Sequence, residues 1–436
     1  MSAPLENLAQ PVLEVGLELS PAAWIMITGS VTNVACALVG CFLVLRGMSL
    51  MGDALSHAVL PGLVVALLIF DSTSIGPMFL GAVAVGLLTT FLTQTLKQYG
   101  QVPGDAAMGV VFTSLFALGV VLVKLFVKDL HFDFACVYEG SLELVPFAEP
   151  VWGVPRQFVT SAAVLLLNVA VLLLLWKELK LSSFDPNLAT TIGFSATAMH
   201  YLLMVLVAVT AVASFEAVGS ILVVAMLIVP AATAHLLSDR LWLMVLLSAG
   251  VGVASAVLGY YLAEWSNTNI AGMMTVVAGG LYGTAALFSP RYGVLSVVVR
   301  NLQVALRVLR EDLLAMLYRI EELGSEQRLT PAGAREAVGG GWLAHWSLSS
   351  LVRTGRITRA GSQLQLTDQG RDAARQLVRS HRLWETYLVE QLGMPLDHVH
   401  EPAHRVEHFI DERLRQELQA ELDDRGQDPH GRAIPE

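Results

Sequence analysis

Long apolar runs broken by single charges fill the first two thirds of the chain, at about 22–45, 54–70, 76–93, 106–126, 158–176, 197–214, 217–237, 241–263 and 270–288. A bilayer core takes about 20 helical residues per crossing, because every backbone N–H and C=O must find its partner inside the segment. The pattern predicts nine membrane spans, or eight if the short 54–70 segment re-enters or the first lies along the interface. After Pro290 the period changes to short amphipathic elements. These are a helix over about 297–323, a break at Gly324, a helix opened by Thr330-Pro331, the run Gly339-Gly340-Gly341, and a helix to Arg353. A turn-bounded strand pair follows over 356–358 and 363–367, then a long helix from about Gln369 to Leu392. Three small helices and a two-stranded ribbon outline a winged helix.

Composition agrees with two physical classes in one chain. Of 436 residues, 54% are hydrophobic and 15% charged, against about 45–50% and 25% in ordinary soluble domains. Disorder, a coiled coil and a simple cytosolic enzyme are excluded. Residues 1–290 carry 8 Lys and Arg with 16 Asp and Glu, and residues 291–436 carry 19 and 21. The net charge of −10 thus divides as −8 and −2, so neither half has the basic surplus of a non-specific nucleic-acid binder. Cys36, Cys41 and Cys136 are too few and scattered for a disulfide framework or a thiolate cluster. The first twenty residues hold Glu6, Glu14 and Glu18 and no Lys or Arg, the wrong charge for a cleaved signal peptide, so the first apolar segment is expected to be retained.

Basic residues at span ends set orientation. Arg46, Lys97, Lys177 with Lys180, Arg240 and Arg291 follow odd-numbered spans, and Asp71, Glu216 and Glu264 fall at the opposite ends. Those basic ends are expected inside and, under the nine-span count, the N-terminus outside, against the grain of Lys124, Lys128 and Arg156 around the 127–157 loop. The half after Pro290 is then cytoplasmic.

Within the run from Ser49 to Gly62, Asp53 and His57 stand at i and i+4 on one helix face. A carboxylate oxygen and an imidazole nitrogen there suit a borderline divalent cation; an ion pair that only ties helices together is the competing reading. The run from Gly219 to His235 combines Pro230 with small residues and reads as tight helix packing. His200 and His235 read as satisfied polar residues, and His131 with Asp133 as solvated loop residues. The chain has no Gly-Lys pair and so no phosphate loop.

Seven of the eleven histidines lie after residue 340. On a helix starting near Pro402, His404, Glu407 and His408 fall at i, i+3 and i+4 and face one way, and His381 and Glu385 repeat the i, i+4 spacing upstream. Imidazole and carboxylate without thiolate suit Mn²⁺, Fe²⁺ or Zn²⁺; a solvated amphipathic face is the plain alternative.

The membrane motifs, with Gly104-Asp-Ala-Ala-Met-Gly109, Phe184-Asp-Pro186 and Phe288-Ser-Pro-Arg-Tyr-Gly293, resemble the permease subunits of manganese/zinc/iron ABC importers, the ABC-3 family, over about residues 20–293. The resemblance implies metal passage at Asp53 and His57 and contact with an ABC ATPase at Ser238, Asp239, Arg240 and Leu241. It also implies a second permease, either a copy or a relative, and an extracytoplasmic metal-binding protein. The stretches Leu366-Thr-x-x-Gly-x-x-x-Ala374, Arg379-Ser-His-Arg-Leu-Trp-Glu385 and Val399–His408 resemble the metal-sensing and dimerisation region of DtxR/MntR repressors. That resemblance implies one site from Asp312, His404, Glu407 and His408 with His381, and a neighbouring one holding Glu385 and His400. Gly339–Gly341, Trp342 and Trp346 depart from the repressor pattern where base contacts belong, so operator binding is not expected.

The expected architecture is an all-α polytopic membrane permease of eight to nine spans, followed by a mainly α cytoplasmic winged-helix and metal-binding region. Its divisions are 1–293 permease, 294–310 linker helix, 311–368 winged-helix-like, and 369–436 metal-binding and dimerisation. The expected function is inward transport of Mn, Zn or Fe across a bacterial inner membrane, with metal as substrate and regulatory ligand. A membrane-tethered metal-dependent transcriptional regulator is the alternative. An intramembrane metallohydrolase lacks a three-ligand site with a placed base.

Overall fold

A computed structural model describes residues 19–70, 75–126, 142–148, 150–324, 329–422 and 426–435. Glu6, Glu14, Glu18, Asp71, Lys128, His131, Asp133 and Cys136 lie outside the described residues. The chain forms two compact units, Met1–Ser296 and Val297–Glu436.

The first unit contains α1 (Pro21–Leu45), α2 (Met51–Phe70), α3 (Ile75–Tyr99) and α4 (Gly104–Phe126). A 3₁₀ turn at Leu142–Phe147 and a small hairpin, β1 (Pro150–Val151) with β2 (Val154–Pro155), lead to α5 (Arg156–Leu174). Then come α6 (Trp176–Phe184), α7 (Pro186–Thr191), α8 (Ala196–Val218), α9 (Ser220–Leu237), α10 (Leu241–Ser266) and α11 (Ile270–Phe288). Among the described residues, eight helices are long and apolar enough to cross a membrane: α1–α5, α8, α10 and α11. The ninth apolar segment is α9, whose apolar stretch Leu222–Leu237 is shorter. The 54–70 segment is not the short one, because its helix starts at Met51 and takes Asp53 inside, giving 20 residues.

Sequence chemistry explains the local choices. Ser20 caps α1 by accepting from the Ala23 amide at 3.3 Å, with Pro21 next. The segment 181–196 is largely helical: Asp185 accepts from the Leu188 amide at 2.9 Å and Pro186 opens α7. Gly219, at φ +79°, lets α8 turn into α9 through a single residue. The interior is built on α1, which packs against α5, α8, α9 and α10. At Gly40 a Cβ would sit 1.8 Å from the Leu227 carbonyl oxygen, so only glycine permits that α1–α9 crossing. Polar side chains bond across helices: Asn33 donates to the Gly252 carbonyl at 3.0 Å and Ser255 at 2.9 Å, and Asn168 to the Ala35 carbonyl at 3.1 Å.

The second unit carries most of α12 (Val294–Glu322), then α13 (Pro331–Ala337), α14 (Gly341–Arg353), β3 (Ile357–Ala360), β4 (Gln363–Leu366), α15 (Asp368–Glu390), α16 (His400–Val406) and α17 (Glu412–Glu421). The strands pair antiparallel, Ile357 opposite Leu366 and Ala360 opposite Gln363. Leu313, Leu314 and Leu317 of α12 pack with Ala334, Leu348, Leu351, Ile357, Leu364 and Leu366 in one core. Thr330 and Thr367 cap α13 and α15. Position 311, the expected division between linker and winged-helix-like region, falls inside the continuous α12.

Candidate metal centres

Among the described residues, His and carboxylate donors gather on α2 and in the second unit. On α2, Asp53 Oδ1 lies 3.5 Å from His57 Nε2, and about 46% and 39% of the two side chains remain exposed. Helix periodicity puts them one turn apart. His57 stacks on Phe112 and meets the edge of Phe116, both at 5.9 Å between ring centroids. Close crossings hold α2 here: a Cβ on Gly62 would lie 2.3 Å from the Gly81 carbonyl oxygen of α3, and one on Gly119 of α4 would meet Pro61 at 2.8 Å. Among the described residues, no third His, Cys, Asp or Glu joins the pair. Of the histidines read as bland, His200 rests edge-on against Tyr201 and His235 is exposed in the last turn of α9.

In the second unit, Asp312, His404, Glu407 and His408 each offer one donor atom, all within 4.8 Å of one another. α12 positions Asp312; α16 carries His404, and the helix tightens to a 3₁₀ turn at Glu407–Phe409 that aims Glu407 and His408 at the same point. The His408 Nε2 lies 3.3 Å from Asp312 Oδ1 and 3.6 Å from Glu407 Oε1, and the His404 Nδ1 is 2.8 Å from Glu407 Oε1. Asp312, His404 and Glu407 also line a cleft of about 320 Å³ with Met316 and Arg319.

His381, Glu385 and His400 form a second group. His381 Nε2 is 3.1 Å and His400 Nδ1 2.9 Å from Glu385 Oε1. The repressor resemblance grouped His381 with Asp312, His404, Glu407 and His408. In the structure its Nε2 belongs with Glu385, while its Nδ1 reaches Glu407 Oε2 at 2.6 Å. His381 and Glu407 therefore join the two groups.

The donor chemistry fits a divalent cation. Asp312 Oδ1, Glu407 Oε2, His381 Nδ1 and His408 Nε2 are buried without a hydrogen-bond partner, although the atoms approach one another closely. Buried polar atoms left unpaired cost about 1–3 kcal/mol each, and clustered carboxylate oxygens and imidazole nitrogens are what an ion would satisfy. Oxygen and imidazole donors without thiolate suit Mn²⁺, Fe²⁺ or Zn²⁺.

Sequence reading missed two residues that hold this arrangement. Glu311 Oε2 accepts from His408 Nδ1 at 2.8 Å, which fixes the ring so that Nε2 faces the cluster. Burial would lower the His408 pKa, but the Asp312 and Glu311 carboxylates outweigh it and raise it to about 9. Burial likewise acts to raise Glu385, yet hydrogen bonds from His381 and His400 bring it to about 2. Arg382, 2% exposed, donates to Glu322 Oε1 at 2.8 Å and to the Ala433 carbonyl at 2.5 Å, and lies 3.5 Å from Asp428. It ties α12 to α15 and to the C-terminal residues, so Asp312 and His381 keep a fixed spacing. Partners 51 and 60 positions apart left no local signal.

Around the three residues between α9 and α10, Ser238 accepts from the Arg240 amide at 3.1 Å, and Leu241, which opens α10, is buried. Asp239 accepts from the Tyr292 hydroxyl at 2.7 Å and pairs with Arg291. The Tyr292 hydroxyl and Arg291 hold its carboxyl below the usual range.

Residues 20–289, well over half the chain, match the ABC 3 transport family, and the chain belongs to that family. Residues 367–436 match the iron dependent repressor, metal binding and dimerisation domain. Both resemblances read from the motifs are borne out. The chain is 47% identical over 290 residues to the manganese transport system membrane protein MntD of Bacillus subtilis (strain 168), covering 66% of this chain and 98% of that protein. It is 37% identical over 354 residues to the zinc transport system membrane protein TroD of Treponema pallidum (strain Nichols), covering 79% and 96%. The solved structure of PsaBC from Streptococcus pneumoniae in complex with Fab is 31% identical, with a TM-score of 0.55, over 64% of this chain and 96% of that one. The chain is a multi-pass bacterial membrane permease with a repressor-like metal-binding region appended.

Proposed function

We propose that this chain is the permease subunit of an ATP-driven importer of divalent transition metal, manganese before zinc or iron, and that its second unit senses cytoplasmic metal. One observation carries the reading: an ABC 3 permease and a buried cluster of orphaned imidazole and carboxylate donors share one chain. Relatives named for manganese and zinc transport, and a donor set free of thiolate, support the choice of metals.

Asp53 and His57 offer two donor atoms, fewer than a divalent metal takes. A second permease facing their exposed side, either another copy or a relative, would complete the pathway. Such sparse coordination also lets the ion leave. An extracytoplasmic metal-binding protein delivers the substrate, and a separate ATPase subunit meets Ser238–Leu241 and drives alternating access. In the second unit, Asp312, His404, Glu407 and His408 would hold the metal, which would supply positive charge in place of the His408 proton and link α12 to α16. Occupancy can restrain import only if metal affinity differs between transporting and resting states.

The repressor match supports a second reading, a membrane-tethered regulator. Against it, α14 exposes Trp342 and Trp346 where base-reading side chains would stand. Metal uptake in vesicles holding the full chain, its ATPase and its binding protein separates the two. ATP-dependent Mn²⁺ accumulation is expected; no accumulation, with metal-dependent binding of operator DNA, would establish the regulator.

A further inference from the structure

The winged-helix segment has an unusual surface for a protein of net charge −10. Residues 329–367 carry Arg335, Arg353, Arg356 and Arg359 against Glu336 alone. Arg353, Arg356 and Arg359 are exposed, and among the described residues none pairs with a carboxylate. On α14, Trp342, Trp346 and Arg353 follow at i, i+4 and i+11, one face of a helix. Both indoles are solvent-exposed, 67% and 54%, while Ala344, Leu348 and Leu351 turn inward to the core. Nothing in packing the domain requires the two tryptophans.

From this face we infer that α14 and the arginines that follow it form a docking surface for the anionic headgroup layer of the membrane. The inference rests on the first unit spanning a bilayer. Indole is the side chain best matched to that layer, since its ring is apolar and its N–H still seeks a polar partner. Arginines beside it meet lipid phosphates with planar, bidentate geometry. Connectivity brings the two within reach: five residues, Ser289–Gly293, separate α11 from α12, and the 29 residues of α12 span about 44 Å. Duplex DNA shares the phosphate chemistry, but two bulky indoles on the groove-reading helix offer base edges neither a charge nor a bidentate pair. Docking would hold the metal-binding unit at the surface where the permease releases its cargo.

The test uses the full chain in nanodiscs of phosphatidylcholine, with or without an equal part of phosphatidylglycerol, each with brominated acyl chains. Emission of the W342Q/W346Q variant is subtracted from that of the unaltered protein, leaving the signal of these two indoles. Because both side chains are exposed, the variant should keep the thermal melting of the parent. The difference emission should be quenched in anionic discs, return in high salt, and stay unquenched in neutral discs. Each arginine near an anionic surface weighs about fivefold in the docking equilibrium. The triple variant R353Q/R356Q/R359Q should therefore undock by about a hundredfold. A water-exposed, unquenched signal in anionic discs would overturn the inference. So would quenching indifferent to lipid charge, a signal that responds to duplex DNA instead of lipid, or one that depends only on the number of chains per disc.

Discussion

Metal binding at the second unit should expel protons, and His408 sets how many. With its pKa raised to about 9 by Asp312 and Glu311, His408 is about 99% protonated at pH 7. Its Nε2 can reach a metal only after losing that proton. The cost at pH 7 is two pH units, roughly a hundredfold in apparent affinity. Apparent affinity for Mn²⁺ should accordingly rise about tenfold per pH unit from 7 towards 9. Titration calorimetry of the full chain, in buffers of differing ionisation enthalpy, reads the released proton directly. His408→Ala should lower the slope by one proton. Without metal the sign reverses: the raised pKa stabilises the fold fully below about pH 6.5, and that contribution, of order 3 kcal/mol, is lost as pH rises through about 9. Affinity indifferent to pH, with no buffer dependence of the heat, would refute His408 as a ligand that binds metal at the expense of a proton.

Asp53→Ala and His57→Ala should each abolish uptake while leaving assembly intact, since the pair supplies donor atoms rather than packing volume; normal uptake in vesicles would remove this helix face from the route. Substituting Asp239 and Arg240 should reduce metal-driven ATP hydrolysis without changing metal affinity, read by phosphate release in the reconstituted complex. Unaltered stimulation would move the coupling surface to α6 and α7. Glu407→Gln should weaken binding at both clusters, because Glu407 contacts His404, His408 and His381; loss at the first cluster alone would show that the two are independent.

Hydropathy located every helix long enough to cross a membrane, because span length and burial leave a continuous apolar record. It misplaced the start of α2, since the scale discards Asp53 while the backbone includes it. The helices at 176–191 were hidden by mixed polarity, although Asp185-Pro186 carried the capping signal. At the metal site, i, i+4 spacing gave His404, His408, His381 and Glu385 locally. That Asp312 meets His408, 96 positions away, is a product of the fold, and it entered the sequence reading only through the family's register. Arg382 stood inside the quoted Arg379–Glu385 stretch and Glu311 beside Asp312, yet no spacing marked the role of either. The bridge between His381 and Glu407 needs coordinates, because it depends on how α15 packs against α16 and the turn after it.

The union of transport and sensing in one chain is read by metal uptake into vesicles loaded with increasing Mn²⁺ on the cytoplasmic face. The full chain, the His404→Ala, His408→Ala double variant and a truncation after Gly293 are compared, each with the ATPase. Uptake by the full chain should fall as internal Mn²⁺ rises, while the double variant and the truncated permease continue unrestrained. Equal inhibition of all three, or none in any, would contradict it.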